Sequence, residues 1–538
     1  AATGLFGALS ANDDARAQGP APAPAATVDD VVVTASRRPE SISKVPASIS
    51  AISQDALDTI GASEIIYAVT AVPNLHTTVA NDVSIRGVGS NLFTPSAGGT
   101  PVAIHVDGVY TNDRAVLTRS AFDIERIEVL RGPQGTLYGR NATGGVLNII
   151  SAAPSDAFSA DGDIGFSSAD TVTLRGAINL PVTPNLALRL AGFAENGDGF
   201  QASGTLGQRD GDAPDFASAR ASVRWMPLDW LTWNASLTYG RDRGIAGIAQ
   251  YAYFLDHNGA AVATNFPAGE TAPLPPSHGP LSFGDNVTDN FADRNRGHLD
   301  ITSVRSNLRL ALNETTSLTY LAGYNRLADE GATNAIPFIF QVSATTTQEN
   351  SHELDVNYEG DRWHGVAGIY HFAEITGGAS LIHVWIPDSQ NQPALTPAVD
   401  QINQNARSVN NTDAIFGQAT LNLTDSWRLT MGARYTRDKL ETGANTQSYC
   451  PFGAASSPFQ NGFDVLLFGG GTTCAAQNIP TFSQVTEIPP VTAEFSRPSY
   501  LGALEYDISP DVLAYASFAT GYRTGGVSET SPAVVFYN

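Results

Sequence analysis

Apolar and polar residues alternate in short segments along residues 160–538. The odd-numbered positions of 231–239 carry leucine, tryptophan, alanine, leucine and tyrosine, and the even-numbered positions carry threonine, asparagine and serine. The segment 427–436 repeats the arrangement, with tryptophan, leucine, methionine, alanine and tyrosine on one face. Because successive side chains of a strand point to opposite faces, this period of two predicts β-strands with one apolar side.

The same pattern predicts thirteen strands in this part of the chain. They are placed at 160–167, 171–180, 186–195, 217–226, 230–240, 301–312, 315–326, 347–358, 362–373, 409–423, 426–438, 495–507 and 511–521. Every second connection is short, and apart from 168–170 the others are long and polar. The long ones are 196–216, 241–300, 327–346, 374–408 and 439–494. Short turns at one end and long loops at the other are typical of β-barrels that cross the bacterial outer membrane.

The apolar faces of these strands indicate what surrounds them. Strands 315–326 and 409–423 each place a row of leucine, tyrosine, alanine or isoleucine on one side. A large secreted β-sandwich or solenoid is the alternative, and it would need polar residues on its outer faces. No stretch has the roughly 18–20 uninterrupted apolar residues of a membrane helix. The pattern therefore favours a transmembrane antiparallel β-barrel whose outer wall contacts lipid.

Composition adds limits on partners and compartment. The chain has 538 residues, 50 of them glycine, and a formal net charge of −23, which speaks against a nucleic-acid partner. Its two cysteines, Cys450 and Cys474, share one predicted loop. A disulfide in an oxidising compartment is favoured over two free thiols, and no neighbouring His or Cys pair suggests a metal site.

The chain divides into four predicted parts. Residues 1–17 resemble the tail of a secretory signal peptide, with a disordered arm as the alternative. Residues 18–44 begin as a Pro/Ala-rich linker. Residues 45–153 form an α+β domain, and 154–538 form a partial barrel. Within the α+β domain we predict helices at 54–60 and 63–69 and strands at 83–86, 102–107 and 124–130.

Three motifs in the α+β domain identify a family resemblance. SIRGVGS at 84–90, PVAIHVDGVY at 101–110 and IERIEVLRGPQGTLYGRNATGGVLNII at 124–150 resemble the plug of TonB-dependent outer-membrane receptors. The resemblance implies a barrel of about 22 strands with the N-terminal plug in its lumen. It also implies import of scarce nutrients, most often ferric siderophores and also haem, cobalamin or saccharides. With about thirteen strands and no terminal aromatic strand, the sequence is expected to be truncated.

A short apolar strip near the N-terminus matches the TonB box of this family. The strip consists of Asp30, Val31, Val32, Val33, Thr34 and Ala35. Such a strip can add as a strand to the sheet edge of a partner, here the energy-coupling protein TonB. We expect it to hang from its tether below the plug; the alternative is a short strand of the plug itself. The linker leaves no room for a signalling domain, which favours transport without transcriptional signalling.

The resemblance also suggests contacts between plug and barrel. Arg86 and Arg131 are each followed by glycine, and in the family such arginines pair with barrel glutamates. A guanidinium can bind a carboxylate through two parallel hydrogen bonds. Glu353 in SHELDV, on an inner face, is the expected partner. The alternative for each arginine is an ordinary solvated charge.

Tyr251, Tyr253 and His257 lie in the longest predicted loop and are candidates for ligand contact. The chain lacks H-E-x-x-H, G-x-S-x-G and P-loop patterns, so we expect neither catalytic residues nor a cofactor.

The sequence therefore predicts an energy-coupled importer in the bacterial outer membrane, with TonB, membrane lipid and a small-molecule ligand, a metal chelate, as partners. The rival functions are a passive porin and a surface adhesin or barrel-embedded hydrolase.

Overall fold

A computed structural model describes most of the chain. The described residues are 32–34, 37–60, 65–66, 72–77, 83–89, 99–112, 116, 122–168, 170–199, 201–203, 209–211, 213–244, 254–255, 261–262, 287–288, 297–336, 339–386, 396–449, 484–509, 512–527 and 534–535.

Besides a 3₁₀ helix at Ile42–Lys44, ten short elements precede the large sheet in the described residues. They are β1 (Val32–Val33), β2 (Glu40–Ser41), β3 (Ser48–Ser53), α1 (Gln54–Ile60), β4 (Leu75–Thr77), β5 (Val83–Ile85), β6 (Val102–Val106), β7 (Val109–Thr111), β8 (Ile124–Arg131) and β9 (Gly145–Ser151). Five of these strands form one sheet in the order β3-β8-β9-β6-β7, in which β6 and β9 are parallel. Leu57, Ile85, Ile127 and Leu147 are fully buried in its core. This is the predicted α+β domain, called the plug below.

The rest of the chain is dominated by long strands. The strands are β10 (Ser159–Ser167), β11 (Thr171–Thr183), β12 (Leu186–Asn196), β13 (Gln201–Ser203), β14 (Arg209–Gly211), β15 (Asp215–Leu228), β16 (Leu231–Asp242), β17 (Phe254–Leu255), β18 (Ala261–Val262), β19 (Val287–Thr288), β20 (Gly297–Ala311), β21 (Thr316–Ile336), β22 (Ile339–Glu359), β23 (Trp363–Ile386), β24 (Thr396–Asn422), β25 (Trp427–Tyr449), β26 (Gln484–Ser509), β27 (Val512–Ala519), β28 (Gly526–Val527) and β29 (Val534–Val535).

Thirteen of these strands form a single antiparallel sheet in the described residues. Its order is β10-β11-β12-β15-β16-β20-β21-β22-β23-β24-β25-β26-β27, so each strand pairs with the next long strand along the chain. All thirteen predicted strands are present, and the short strands between them lie in the connections. We call this sheet the wall.

The wall has one apolar and one polar face, as its alternation predicts. On β25, Met431 and Tyr435 are more than half exposed, whereas Arg434 and Thr436 are only 4% and 2% exposed. On β16, Leu237 and Tyr239 are likewise about half exposed. In water such a surface would be strongly unfavourable, but lipid accommodates it without a second sheet.

Aromatic residues lie on the outer face beside the short turns. The ring of Trp363 stacks on Tyr358 with centroids 4.1 Å apart, and Trp427 lies 4.6 Å from Tyr506. Aromatic girdles of this kind mark the membrane–water boundary of outer-membrane barrels. None of the helical segments described has the length and apolarity needed to cross a bilayer.

Two predicted long loops, 327–346 and 374–408, are largely strand, and a third, 439–494, is strand at both of its ends, with 450–483 outside the described residues. The segment 327–346 is not a loop, because β21 and β22 continue in register until Ile336 pairs with Ile339. Strands β23 to β26 likewise extend into 374–408 and 439–494. Beyond the lipid both faces of a strand meet water, so the alternation disappears although the backbone hydrogen bonds continue.

The plug lies inside the curve of the wall. A second buried cluster combines Tyr110 and Tyr138 of the plug with Val366, Phe372 and Phe416 of the wall. Phe372 is fully buried, and its ring meets that of Tyr110 edge-on at 5.3 Å. The inner face of the barrel wall is thus occupied by the plug.

Candidate functional site at the contact between plug and wall

The N-terminal segment 32–34 is bound to the plug. Strand β1 pairs with β2, and Val33 is fully buried. The backbone amide of Thr34 donates to Oε1 of Glu128 at 2.9 Å, and its hydroxyl donates to the same carboxylate at 3.2 Å. The expectation that this part of the strip hangs free is wrong. Val33 is buried among apolar side chains, and Thr34 donates hydrogen bonds to the charged carboxylate of Glu128. Asp30, Val31 and Ala35 lie outside the described residues.

Glu128 is the anchor of this segment. It is fully buried in β8. Besides Thr34, it accepts hydrogen bonds from Nε of Arg126 at 2.8 Å and from Nδ2 of Asn148 at 3.1 Å. A buried carboxylate is tolerated only when it is paired and hydrogen-bonded, and these donors meet that requirement.

Arg37 connects the same segment to the wall. Its guanidinium lies 3.2 Å from both carboxylate oxygens of Glu353 on β22. It also donates to the carbonyl oxygens of Gly108 and Leu137, each at 3.2 Å. Burial alone would lower the pKa of Arg37, but the carboxylates of Glu353 and Asp355 outweigh burial and raise it. Arg37 is therefore a charged bridge between plug and wall, with one hydrogen bond from Nη2 to Oε2 of Glu353 and an ion-pair contact between Nη1 and Oε1.

Arg86 and Arg131 do not bind Glu353, so the predicted pairing is wrong. Arg86 donates to the hydroxyl of Ser48 at 3.2 Å, and Arg131 donates to that of Ser50 at 2.7 Å. Both arginines lie next to β3, and Glu353 pairs with Arg37 instead. Partial burial and the charge of Arg86 lower the pKa of Arg131. The two arginines line a cavity of about 630 Å³ between plug and wall.

A second carboxylate of the wall binds the plug, closer to the end of the wall that carries the long connections. Glu349 on β22 is 2% exposed. It accepts hydrogen bonds from the hydroxyl of Thr111 and the amide of Asn112, both at 2.8 Å, and from Nδ2 of Asn325 at 2.7 Å. Asn112 also donates to Glu374 at 3.0 Å. These contacts fix the end of β7 against the wall.

The loop before β9 is held by a buried cation. The guanidinium of Arg140 lies 4.7 Å from the ring centre of Phe372 and 5.3 Å from that of Tyr110. Nη1 lies 3.5 Å from Asp438 on β25, which also accepts a hydrogen bond from Thr524 at 3.0 Å. Cation–π contacts and ion pairs are strongest where water is excluded, as here.

His105 is a structural histidine at the centre of the plug. It is 2% exposed, and Nδ1 lies 3.1 Å from the carbonyl oxygen of Gly108. Its ring meets those of Tyr110 and Tyr138 edge-on. Burial, assisted by the charge of Arg37, lowers the pKa of His105 to about 3. The imidazole is therefore neutral at physiological pH.

The remaining predicted sites lie outside the described residues. These are Tyr251, Tyr253 and His257 as ligand contacts and Cys450 and Cys474 as a disulfide. Within the part of the chain that is described, no group of three or more His, Cys, Asp or Glu side chains could hold a metal ion.

The sequence contained partial signals for the residues that were missed. Arg37 belongs to a basic pair that follows the apolar strip after one intervening serine, and Glu128 is an acidic residue within the apolar run of β8. A charge in such a run indicates a buried partner. Neither signal specifies which partner, because Thr34 and Glu353 are distant in sequence.

The wall has a lipid-facing exterior, and the plug binds its inner face through hydrogen bonds and ion pairs. This arrangement defines a plugged outer-membrane receptor. The model of the TonB-dependent receptor plug domain matches residues 41–146. That of the TonB-dependent receptor-like β-barrel matches residues 238–538, which is more than half of the chain. The chain therefore belongs to the family of TonB-dependent receptors, whose members are outer-membrane β-barrels.

Individual relatives are more distant. The catecholate siderophore receptor Fiu of Escherichia coli K12 is 23% identical over 435 residues, which cover 75% of this chain and 54% of Fiu. The vitamin B12 transporter BtuB of Vibrio vulnificus CMCP6 is 31% identical over 185 residues, 32% of this chain and 29% of BtuB. The chain thus spans about half the length of Fiu.

Solved structures show the same fold. The ferric yersiniabactin uptake receptor FyuA from Yersinia pestis superimposes with a TM-score of 0.65 at 18% identity, covering 88% of this chain and 64% of FyuA.

Proposed function

We propose that this chain is part of an active importer that carries a scarce nutrient across the outer membrane with energy supplied through TonB. The observation that carries the proposal is the position of segment 32–34, which is paired to β2 and hydrogen-bonded to Glu128. TonB would bind the strip Asp30–Ala35 by adding a strand, and ligand occupancy would make the strip available. Tension on the strip would reach the plug through Glu128 and the wall through Arg37.

A ferric siderophore is the cargo we favour. Fiu is named as a catecholate siderophore receptor and FyuA as a ferric yersiniabactin uptake receptor. Tyr251, Tyr253 and His257 are the residues of this chain that we propose for ligand contact. Cobalamin is the second candidate, because the match to BtuB has the higher identity over its shorter length.

Deleting Asp30–Ala35 tests the coupling. In the full receptor, we expect ligand binding to be kept and uptake to be lost. Deleting the six linker residues 20–25 is the matched control, which should leave uptake intact. A passive porin would instead transport without TonB and tolerate the first deletion. An adhesin or hydrolase would show binding or turnover with no uptake in the parent receptor.

A panel of cargos tests the substrate. Cells that depend on this receptor are supplied with radioactive iron as a catecholate, a hydroxamate or a phenolate chelate, or with radioactive cobalamin. Uptake of one iron chelate that requires TonB supports the siderophore assignment. Uptake of cobalamin alone would contradict it while leaving the energy-coupled import intact.

A further inference from the structure

Two histidines lie opposite each other on the outer face of the wall. His352 of β22 and His371 of β23 are direct partners in the register of these strands. The neighbouring partners two residues along the same face are Leu354 and Ile369, both exposed apolar side chains of the lipid-facing surface. Alternation therefore points both imidazoles away from the plug. Residues directly opposite each other have Cβ atoms about 4.5–5.5 Å apart, so the two rings are close neighbours.

Each imidazole has one nitrogen already bound, on the side away from the other histidine. Nδ1 of His352 lies 2.8 Å from the hydroxyl of Tyr320 on β21. Nδ1 of His371 lies 2.8 Å from Oδ1 of Asp413 on β24. In the wall order β21-β22-β23-β24, these two partners flank the histidine pair. Because Nδ1 and Nε2 lie on opposite sides of an imidazole ring, this arrangement turns both Nε2 atoms toward the space between β22 and β23.

The hydrogen bonds also determine which nitrogen carries the proton. An ionised carboxylate only accepts hydrogen bonds, so the contact with Asp413 places a proton on Nδ1 of His371. The lone pair of Nε2 is then free in the neutral ring. The hydroxyl of Tyr320 can accept a proton from Nδ1 of His352 in the same way. A carboxylate in the position of Asp413 is the partner that orients a metal-binding histidine and raises its basicity.

The level of the pair on the wall makes it accessible to an ion from water. The side chain of Asp413 is 70% exposed, and its strand partner on β25, Arg437, is 61% exposed. Arg437 pairs with Glu494 of β26 at 2.8 Å. Charged side chains on the outer face are strongly unfavourable in hydrocarbon and are tolerated near the interfaces. This row of polar residues therefore lies at the level of the lipid headgroups.

The next residues of the same face leave room beside the two rings. Toward the long connections, the partners that follow the histidines are Asn350 and Ala373. Alanine is small, and Asn350 is exposed. The Nε2 atoms are therefore bordered by a small side chain and a hydrophilic one, on the side from which water reaches them.

We propose that His352 and His371 form a binding site for a divalent transition-metal ion at the outer boundary of the membrane. At metal–nitrogen distances of about 2.0–2.1 Å, two nitrogens on one ion are about 3 Å apart, which rings on facing strands can reach. Neutral imidazole suits Zn²⁺, Ni²⁺ and Cu²⁺, and Cu²⁺ is bound most tightly. Water fills the remaining positions, and Asp413 is a positioning residue. The site lies outside the lumen, so it does not depend on the proposed import.

Calorimetric titration of the full receptor with Cu²⁺ and with Ni²⁺ tests the site. The receptor is purified in detergent micelles without a histidine tag. The variants are His352→Gln, His371→Gln and the two together. His298→Gln is the matched control, because His298 is an exposed histidine of β20 whose strand partner is Glu330. Pulsed electron paramagnetic resonance of the bound Cu²⁺ counts the imidazoles on the ion.

We expect a Cu²⁺ site with two imidazoles in the parent receptor and weaker binding of Ni²⁺. Each single substitution and the double should abolish the two-imidazole signal and lower the affinity to a similar extent, whereas His298→Gln should change neither. Asp413→Asn should keep both imidazoles and weaken Cu²⁺ binding by about 10–100-fold. A merely structural role of Asp413 would leave that affinity unchanged.

Three results would overturn the site. They are an affinity unchanged in either single variant, a signal from one imidazole in the parent, and a two-imidazole signal that persists in the double variant. The last would place the metal on other histidines. Cargo uptake by the same variants should be unchanged, so failure of the metal site and failure of the proposed import are seen separately.

Discussion

The carboxylate of Glu128 holds the amide and the hydroxyl of Thr34 at 2.9 and 3.2 Å, across 94 residues of sequence. Glu128 belongs to β8, whose neighbours are β3 and β9 in the plug sheet. The segment expected to receive force is therefore attached to an inner strand of that sheet. The attachment is made of a few hydrogen bonds, which can be broken without unfolding the apolar core.

Glu128→Gln should loosen segment 32–34. A hydrogen bond to a charged group contributes about 1.5–3 kcal/mol, so amide exchange at Thr34 should accelerate by about tenfold or more. Hydrogen exchange of the N-terminal peptide measures this. Glu125→Gln is the matched control, because Glu125 is 50% exposed and does not contact Thr34. Equal protection of Thr34 in both variants would contradict the anchor.

The ion pair of Arg37 and Glu353 should stabilise the docking of the plug far more than the neighbouring ion pair of Arg38 and Glu359 does. Removing one member of a buried pair costs about 3–5 kcal/mol, and here the side chains are 12% and 3% exposed. The control pair, Arg38 with Glu359, is 28% and 51% exposed, so about 0.2–1 kcal/mol is expected. Double-mutant cycles on denaturant unfolding of the plug give both coupling energies. A coupling for Arg37 no larger than that for Arg38 would be inconsistent with the structure.

Plug stability should fall in mild acid because of His105. Burial lowers its folded-state pKa to about 3 from an unfolded value of 6.5. The stabilising contribution is complete above pH 6.5 and is lost as the pH falls from 6.5 toward 3, by about 1.4 kcal/mol per pH unit. His105→Gln should flatten this dependence in denaturant titrations at several pH values. His76→Gln, at an exposed position of β4, should leave the slope unchanged.

Gly139→Ala should disrupt the plug more than Gly132→Ala. Both glycines have positive φ, +81° and +89°, so each substitution incurs the left-handed backbone cost of about 1–2 kcal/mol. At Gly139 an added Cβ would also lie 2.8 Å from Nη2 of Arg434, whereas nothing lies within 4 Å at Gly132. The difference between the two unfolding free energies isolates this contact. Equal losses of unfolding free energy in the two variants would mean that the side chain of Arg434 moves aside without cost.

A charge on the outer face should impair membrane insertion according to depth. Ile415 is 62% exposed in the middle of the apolar stretch of β24. Ile415→Arg should make the free energy of membrane insertion less favourable by about 2–4 kcal/mol. Leu423, just after the end of β24, should cost only about 0–1 kcal/mol. Folding of the two variants of the full receptor into lipid vesicles compares them. Similar yields would argue against lipid contact at Ile415.

The plug motifs predicted a domain but not its contacts. Helix α1 matches its predicted range, and the predicted strands at 83–86, 102–107 and 124–130 lie within a residue of β5, β6 and β8. Strand β9 was missed, because it begins in a glycine-rich run that also suits a turn. Arg86 and Arg131 were assigned to the wall from the motif, but their side chains reach serines of β3.

The sequence alone determined the thirteen strands and which face of each meets lipid, because alternation is a local property that burial imposes on every strand. It did not determine where the strands end, since the alternation stops at the membrane surface while the hydrogen bonding continues. Only the tertiary structure decided that Arg37 meets Glu353 and Thr34 meets Glu128. Those pairs depend on how the plug is seated in the wall, which no local pattern records.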